Sequence, residues 1–166
     1  MNLNLDFEPL LLVDTREKDT PLLRERLVGI GWPYRREKLY VGDYTMECTL
    51  PDGRTYSLAN RVSVERKANL EETIISFTGE RARMYDEIWR AKNQGIRLYL
   101  VIENASWGKI SRGEYKSRMH PKALEGTLRS VERTGGVILV FTRDSNETAA
   151  RIREILFGEM VAYLSN

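Results

Sequence analysis

With 166 residues, one cysteine and one histidine, the chain excludes a disulfide-stapled framework and a Cys/His zinc site. Charged residues make up 30% but the formal net charge is only +2, which excludes a polycationic tail; affinity for nucleic acid has to come from local clusters. The longest apolar runs, such as Leu10–Val13, fall far short of the ~18 residues of a membrane span. The first residues, Met1 to Pro9, carry Asp6 and Glu8 and lack the basic flank of a signal peptide. A reducing cytoplasm, no membrane and one domain over 1–166 are the expectations.

Pro9–Asp14 is a short apolar run that ends in an acid, the pattern of a buried strand delivering Asp14 to a cleft. Pro21 opens a helix over Leu22–Val28, with Gly29 and Gly31 beyond its end. Strands follow at Tyr34–Lys38 and Asp43–Leu50, a turn at Pro51-Asp52-Gly53, and a return strand from Thr55 to Lys67. Asp43 and Glu65 lie at similar depths on the two arms, a few residues out of register. A bulge or longer loop around Leu58-Ala59-Asn60 closes that difference. Glu65 and Lys67 share one face with a rise of ~6.7 Å between them, while Val62 and Val64 share the apolar face.

Asn69–Asn93 reads as one long helix, with Leu70, Ile74, Phe77, Met84, Tyr85, Ile88 and Trp89 forming a stripe and Gly79 as a weak point. Gly95 ends it and Ile96–Glu103 is an apolar strand. After a loop rich in Lys and Arg, His120-Pro121 starts a helix to about Thr134. Val137–Phe141 is a strand, and Glu147–Leu164 closes as a helix. Strands alternating with helices indicate an α/β fold, a central mixed sheet flanked by helices.

Asp14, Asp43 and Glu65 each follow apolar residues at a strand end, and Lys67 lies two beyond Glu65. Taken singly, a strand-end Asp is commonly solvated, Gly42-Asp43 makes an ordinary turn, and Glu65-Arg66-Lys67 makes an exposed face. Taken in order, three acids repel one another unless a cation neutralises them, and a hard divalent cation takes such oxygen ligands. A lysine beside them faces the negative charge that develops as a phosphodiester is hydrolysed.

Val13-Asp14-Thr15-Arg16-Glu17, Gly42-Asp43-Tyr44 and Val64-Glu65-Arg66-Lys67 resemble the nuclease domain of the XPF-type structure-specific endonucleases. That signature is V-D-x-R-E, then G-D, then E-R-K-x-x-x-D, and the likeness continues through Ser76-Phe77-Thr78-Gly79-Glu80-Arg81. The resemblance runs from about 10 to 141, with the C-terminal helix (about 147–164) beyond it. It implies a restriction-endonuclease-like fold and Mg²⁺-dependent DNA cleavage, Mn²⁺ substituting. Branched, flap or duplex–single-strand junctions are the implied substrates, with 5′-phosphate and 3′-hydroxyl products. By position, Asp14, Asp43 and Glu65 match the metal-binding acids and Lys67 the catalytic lysine. Arg16, Glu17, Arg66 and Arg81 match supporting positions, Arg66 and Arg81 also as phosphate contacts. The terminal aspartate falls at Glu71, or at Glu72 with a shift of one. After Phe141 no room remains in the 166 residues for a tandem helix-hairpin-helix module, so the chain resembles the compact versions of bacteria and their phages.

Lys109, Arg112, Lys116, Arg118 and Lys122, interleaved with Trp107 and Tyr115, form a basic-aromatic segment suited to phosphate tracking and base stacking. His120, before Pro121, suits a helix entry rather than a general base, and neither Ser106 nor Cys48 has a base partner. In the last helix Ile152, Ile155, Leu156, Met160, Tyr163 and Leu164 make a broad apolar surface, which packs on its own sheet or joins a homodimer. The alternative to an endonuclease is a catalytically silent DNA-binding or scaffold subunit; a metabolite phosphohydrolase would need a glycine loop that is missing. Pathway and strand preference are not written in these residues.

Overall fold

A computed structural model describes residues 6–79 and 83–166. Among these residues seven strands form one mixed sheet and six helices cover its two faces. β1 (Glu8–Asp14) runs parallel to β2 (Tyr34–Glu37) and antiparallel to β3 (Tyr44–Thr49). β5 (Val62–Lys67) joins β3 antiparallel, and β6 (Arg97–Glu103) and β7 (Ile138–Thr142) continue in parallel, giving the order β2-β1-β3-β5-β6-β7.

The expected return strand Thr55–Lys67 is interrupted where the register required it. β4 (Thr55–Ser57) pairs with the far end of β3, and 58–61 then leave the ladder. Leu58 is buried there, its amide donating to the Met46 carbonyl, and the Arg61 and Val62 amides donate to its own. β5 re-pairs at Tyr44↔Val64, which sets Asp43 opposite Glu65.

α1 (Pro21–Ile30) and α6 (Ser145–Leu164) cover one face, where Val13, Tyr44, Val64 and Val101 pack with Leu23, Leu27, Ile152 and Leu156. α2 (Leu70–Thr78), α3 (Arg83–Asn93), the short α4 (Trp107–Ser111) and α5 (Pro121–Gly135) cover the other, around Leu98, Leu100 and Ile102. Because strand side chains alternate, Asp14, Asp43, Glu65 and Lys67 all belong to the second face. The Thr20 hydroxyl caps α1 by accepting from the Leu23 amide, and the helix runs through Gly29 to end at Gly31, φ 72°. A Cβ on Gly29 would come within 2.9 Å of the Ala149 Cβ, so this glycine sets how closely α1 approaches α6.

Three expectations change. The long helix Asn69–Asn93 is two helices, α2 ending at Gly79 and α3 starting at Arg83; Glu80 and Arg81 lie outside the described residues. Its stripe is also narrower, since Leu70, Ile74, Phe77, Met84 and Ile88 are buried but Tyr85 and Trp89 are exposed. The apolar stripe of α6 is not a free surface: Ile152, Leu156 and Met160 are fully buried, and Ile155, Tyr163 and Leu164 pack against the same core. This removes the argument for a homodimer through α6. No described helix is long and apolar enough to cross a membrane.

Candidate active site

β1, β3 and β5 deliver the three acids side by side to one edge. The Asp14 amide donates to the Asp43 carbonyl at 2.9 Å, and the Asp43 amide to the Val64 carbonyl at 2.8 Å. The preceding turn admits only glycine. Gly42 has φ 75°, and a Cβ there would meet the Ser63 Oγ at 2.1 Å. The Gly42 amide donates to Glu87 Oε1 at 2.6 Å, tying the turn to α3.

Asp43 and Glu65 form the centre of the candidate site. Asp43 is 9% exposed and Glu65 7%. Burial first, then the nearby Glu65 and Glu17, hold the Asp43 carboxyl well above the usual carboxylate range, against the pull of the Arg66 amide, which donates to its Oδ2 at 2.8 Å. Burial, then Glu87, pushes Glu65 up to about 8, opposed by Lys67 and by a side-chain hydrogen bond with Asp43. Lys67 Nζ donates to Glu65 Oε1 at 3.1 Å. Burial alone would depress the Lys67 ammonium, but Glu65 outweighs it and leaves it raised.

Asp14 stands apart from the pair. Its Oδ2 accepts from Arg16 Nε at 2.7 Å and its Oδ1 from the Leu39 amide at 2.8 Å. Both oxygens thus accept hydrogen bonds in this arrangement, which leaves Asp43 and Glu65 as the acids that face each other. Among the described residues no group of three or more His, Cys, Asp and Glu side chains is arranged to hold a metal ion. The donor chemistry of the remaining pair still fits one. Mg²⁺ is usually held by one or two carboxylates, keeping waters and a substrate phosphate for its other positions. Two adjacent buried carboxyls that resist ionisation are a site a divalent cation would satisfy.

The supporting positions divide. Arg16 orders Asp14, and Glu17 lies within hydrogen-bonding reach of Asp43 while its carbonyl accepts from Arg36. Arg66 is not available to DNA as expected. It alternates to the α1/α6 face and forms a partly buried fork with Glu103, Nε–Oε1 2.6 Å and Nη2–Oε2 2.9 Å, which locks the end of β5 to β6. Glu71 is not in the cleft; its Oε1 accepts from the Lys116 amide at 2.6 Å, which lowers its pKa and ties the 112–120 loop to α2. Glu72 accepts from the Ala68 amide at the same helix start. Arg81 lies outside the described residues.

The family model for the ERCC4 domain matches residues 13–155. The chain belongs to the ERCC4 domain family. XPF from Aeropyrum pernix superposes on this ERCC4 domain with a TM-score of 0.65 at 20% identity, covering 90% of this chain and 61% of that one. XPF from the same organism in complex with DNA gives 0.63 at 23%, covering 90% and 63%. The fold is therefore the restriction-endonuclease-like one. A curated protein of Methanocaldococcus jannaschii, whose name describes it as an ATP-dependent RNA helicase (MJ1505), is 28% identical over 151 residues. The ERCC4 domain here spans 16% of that relative's length and under two-thirds of the solved XPF chains.

Of the remaining DNA candidates, Lys116 and Arg118 are exposed. Lys109 Nζ donates to Asn104 Oδ1 at 2.6 Å, and Arg112 pairs with Glu114 at 2.9 Å. The aromatics of that segment do not face bases. Trp107 packs edge-on to Phe141 with the Arg129 guanidinium 3.8 Å over its ring, and Tyr115 donates to the Met119 carbonyl at 2.7 Å. His120 Nδ1 accepts from the Lys122 amide, a helix entry as read from the sequence. Glu87 and Glu103 were missed. Glu103 carries the signal that marked Asp14, an acid closing an apolar strand; Glu87 sits at the border of the α3 stripe, where nothing in the spacing distinguishes it from a solvated residue.

Proposed function

We propose that residues 1–166 form one nuclease domain that hydrolyses DNA phosphodiesters with a divalent cation, Mg²⁺ or Mn²⁺, at branched, flap or junction structures. The observation that carries this reading is the buried Asp43–Glu65 pair with Lys67 at its side, on a sheet edge of an ERCC4-family chain. The solved relative in complex with DNA supports the choice of DNA.

Asp43 and Glu65 would hold the cation, which when bound supplies Lewis-acid activation of water and charge neutralisation at the phosphate. Their carboxyls would give up the protons that burial lets them keep. Lys67, beside Glu65, would face the negative charge that builds on the phosphate oxygens during in-line attack. The Arg66–Glu103 fork and the Glu87–Gly42 bond keep the strand ends from shifting. Asp14, fixed by Arg16, acts as a positioning carboxylate beside them.

Labelled flap, fork and linear duplex DNA incubated with Mg²⁺ or Mn²⁺ test this. Wild-type protein cleaves the branched substrates, and Asp43→Asn and Lys67→Ala do not. Binding without cleavage in either metal would make the protein a silent DNA-binding subunit instead.

A further inference from the structure

The flank of the catalytic edge formed by α3 and the β2–β3 loop carries two large aromatic side chains that the core does not use. Trp89 is 48% exposed and Tyr40 48%, whereas Trp32 is buried and Trp107 is covered by Phe141 and Arg129. Trp89 lines a cavity of about 610 Å³ together with Arg16, Arg83, Asp86, Glu87 and Arg90. Arg90 reaches from the lining to Tyr40 beside the cavity, its guanidinium 5.6 Å from the Tyr40 ring centroid and its Nη1 donating to the Tyr40 carbonyl at 3.1 Å. Lys92 Nζ lies 5.1 Å from the Trp89 ring.

This cavity adjoins the reaction centre through two shared residues. Arg16 holds Asp14, and Glu87 holds the Gly42 turn that precedes Asp43. We propose that it is a binding site for unpaired bases of a DNA strand whose scissile phosphate lies at Asp43 and Glu65. The inference rests on the endonuclease reading and adds to it which part of the substrate the α3 flank grips.

Three physical points select this occupant. The volume, about 610 Å³, lies in the range of about 300–1,000 Å³ typical of small-ligand clefts and admits a base or two. Exposed indole and phenol faces stack on any base, but only when that base has left its own stack. Arg83 and Arg90 in the lining supply cations for the phosphates of a bound strand, Arg16 being paired with Asp14. A second copy of the chain is the weaker fit, since two ring faces supply far less than the roughly 1,000 Å² of a stable interface.

The test uses the full chain carrying Asp43→Asn, so that DNA is bound and not cut, with Trp89→Ala, Trp89→Phe and Tyr40→Ala added. Anisotropy is read against a labelled single strand and a blunt duplex of the same sequence. Trp89→Ala is expected to weaken single-strand binding about tenfold or more, the loss of one stacked base, and duplex binding less than twofold. Trp89→Phe recovers most of the loss, and single-strand addition quenches indole fluorescence in the parent but not in Trp89→Phe. Equal losses on both DNAs, no loss, or conversion of a dimer to a monomer by Trp89→Ala would each overturn the proposal. A wild-type protein that cleaves forks while Trp89→Ala binds single strands normally refutes this site alone. A protein that never cleaves but shows the quench refutes the nuclease reading alone.

Discussion

The two flanks of the candidate site put their aromatic residues to opposite uses. On the α4–α5 side the basic-aromatic segment turns its rings inward, Trp107 onto Phe141 and Tyr115 onto the second core, and leaves Lys116 and Arg118 outside. On the α3 side Trp89 and Tyr40 stay outside beside Arg90. Both segments show cations interleaved with aromatics in the sequence, so composition does not separate them. The first flank exposes charge without ring faces, which suits phosphates; the second exposes both, which suits the splayed bases proposed above.

The largest effect belongs where the flanks meet. Asp43→Asn should lower cleavage by at least about a hundredfold, within the range of roughly 10²–10³ for loss of one charge-stabilising group. Binding to both flanks should survive, as an electrophoretic shift will show. Loss of cleavage and binding together would mean that the edge is structural rather than chemical.

Stability should move with pH for the same reason. Glu65 has a folded pKa of about 8 against an ordinary 4.5, so between those values the folded protein keeps a proton that the unfolded chain releases. Its contribution is full below about pH 4.5 and is lost as pH rises through 8; Asp43 pushes in the same direction. Thermal melts without divalent cation should fall by about 5 °C or more from pH 5 to pH 8, and Glu65→Gln should flatten that slope. Mg²⁺ at pH 8 should restore the wild-type melt but not that of Asp43→Asn.

The α4–α5 flank gives a smaller, sequence-blind effect. Removing Lys116 and Arg118 together should weaken single strand and duplex alike and reduce the salt slope on duplex by about two charges, roughly 1.8 in log–log units. A loss confined to single strands would erase the distinction between the flanks. Smallest is the effect of Glu71, and its sign is informative. Deleting a carboxylate near DNA should tighten binding on electrostatic grounds, yet Glu71→Ala also frees the Lys116 amide and loosens the loop. We expect slightly weaker binding for Glu71→Ala and unchanged or tighter binding for Glu71→Gln, which keeps the acceptor; tighter binding by both would show that the tether is idle.

The strand ends were legible in the sequence because an acid or an E-R-K triplet closing an apolar run has few places to go in a layered fold. The interruption at 58–61 was legible as well, since without it Asp43 and Glu65 could not oppose each other. What escaped was the pairing of long side chains across elements. Arg66 fits a phosphate contact until strand alternation puts it on the far face, with Glu103 one strand over. Asp14 fits a metal ligand by position, but the grip of Arg16, two residues on, shows only in the folded chain. Glu87 and Trp89 flank a helical stripe whose period fixes which side is buried but not how wide the buried band is. Helix α4, five residues long, is too short for a period to show.

The central claim is that Asp43 and Glu65 jointly hold the cation on which cleavage depends. A crystal soaked in Mn²⁺ at pH 8 and measured at the manganese edge tests it directly. An anomalous peak beside the Asp43 and Glu65 carboxylates is expected, with Asp14 still bound to Arg16. A peak elsewhere on the molecule, or none at saturating Mn²⁺, would contradict it.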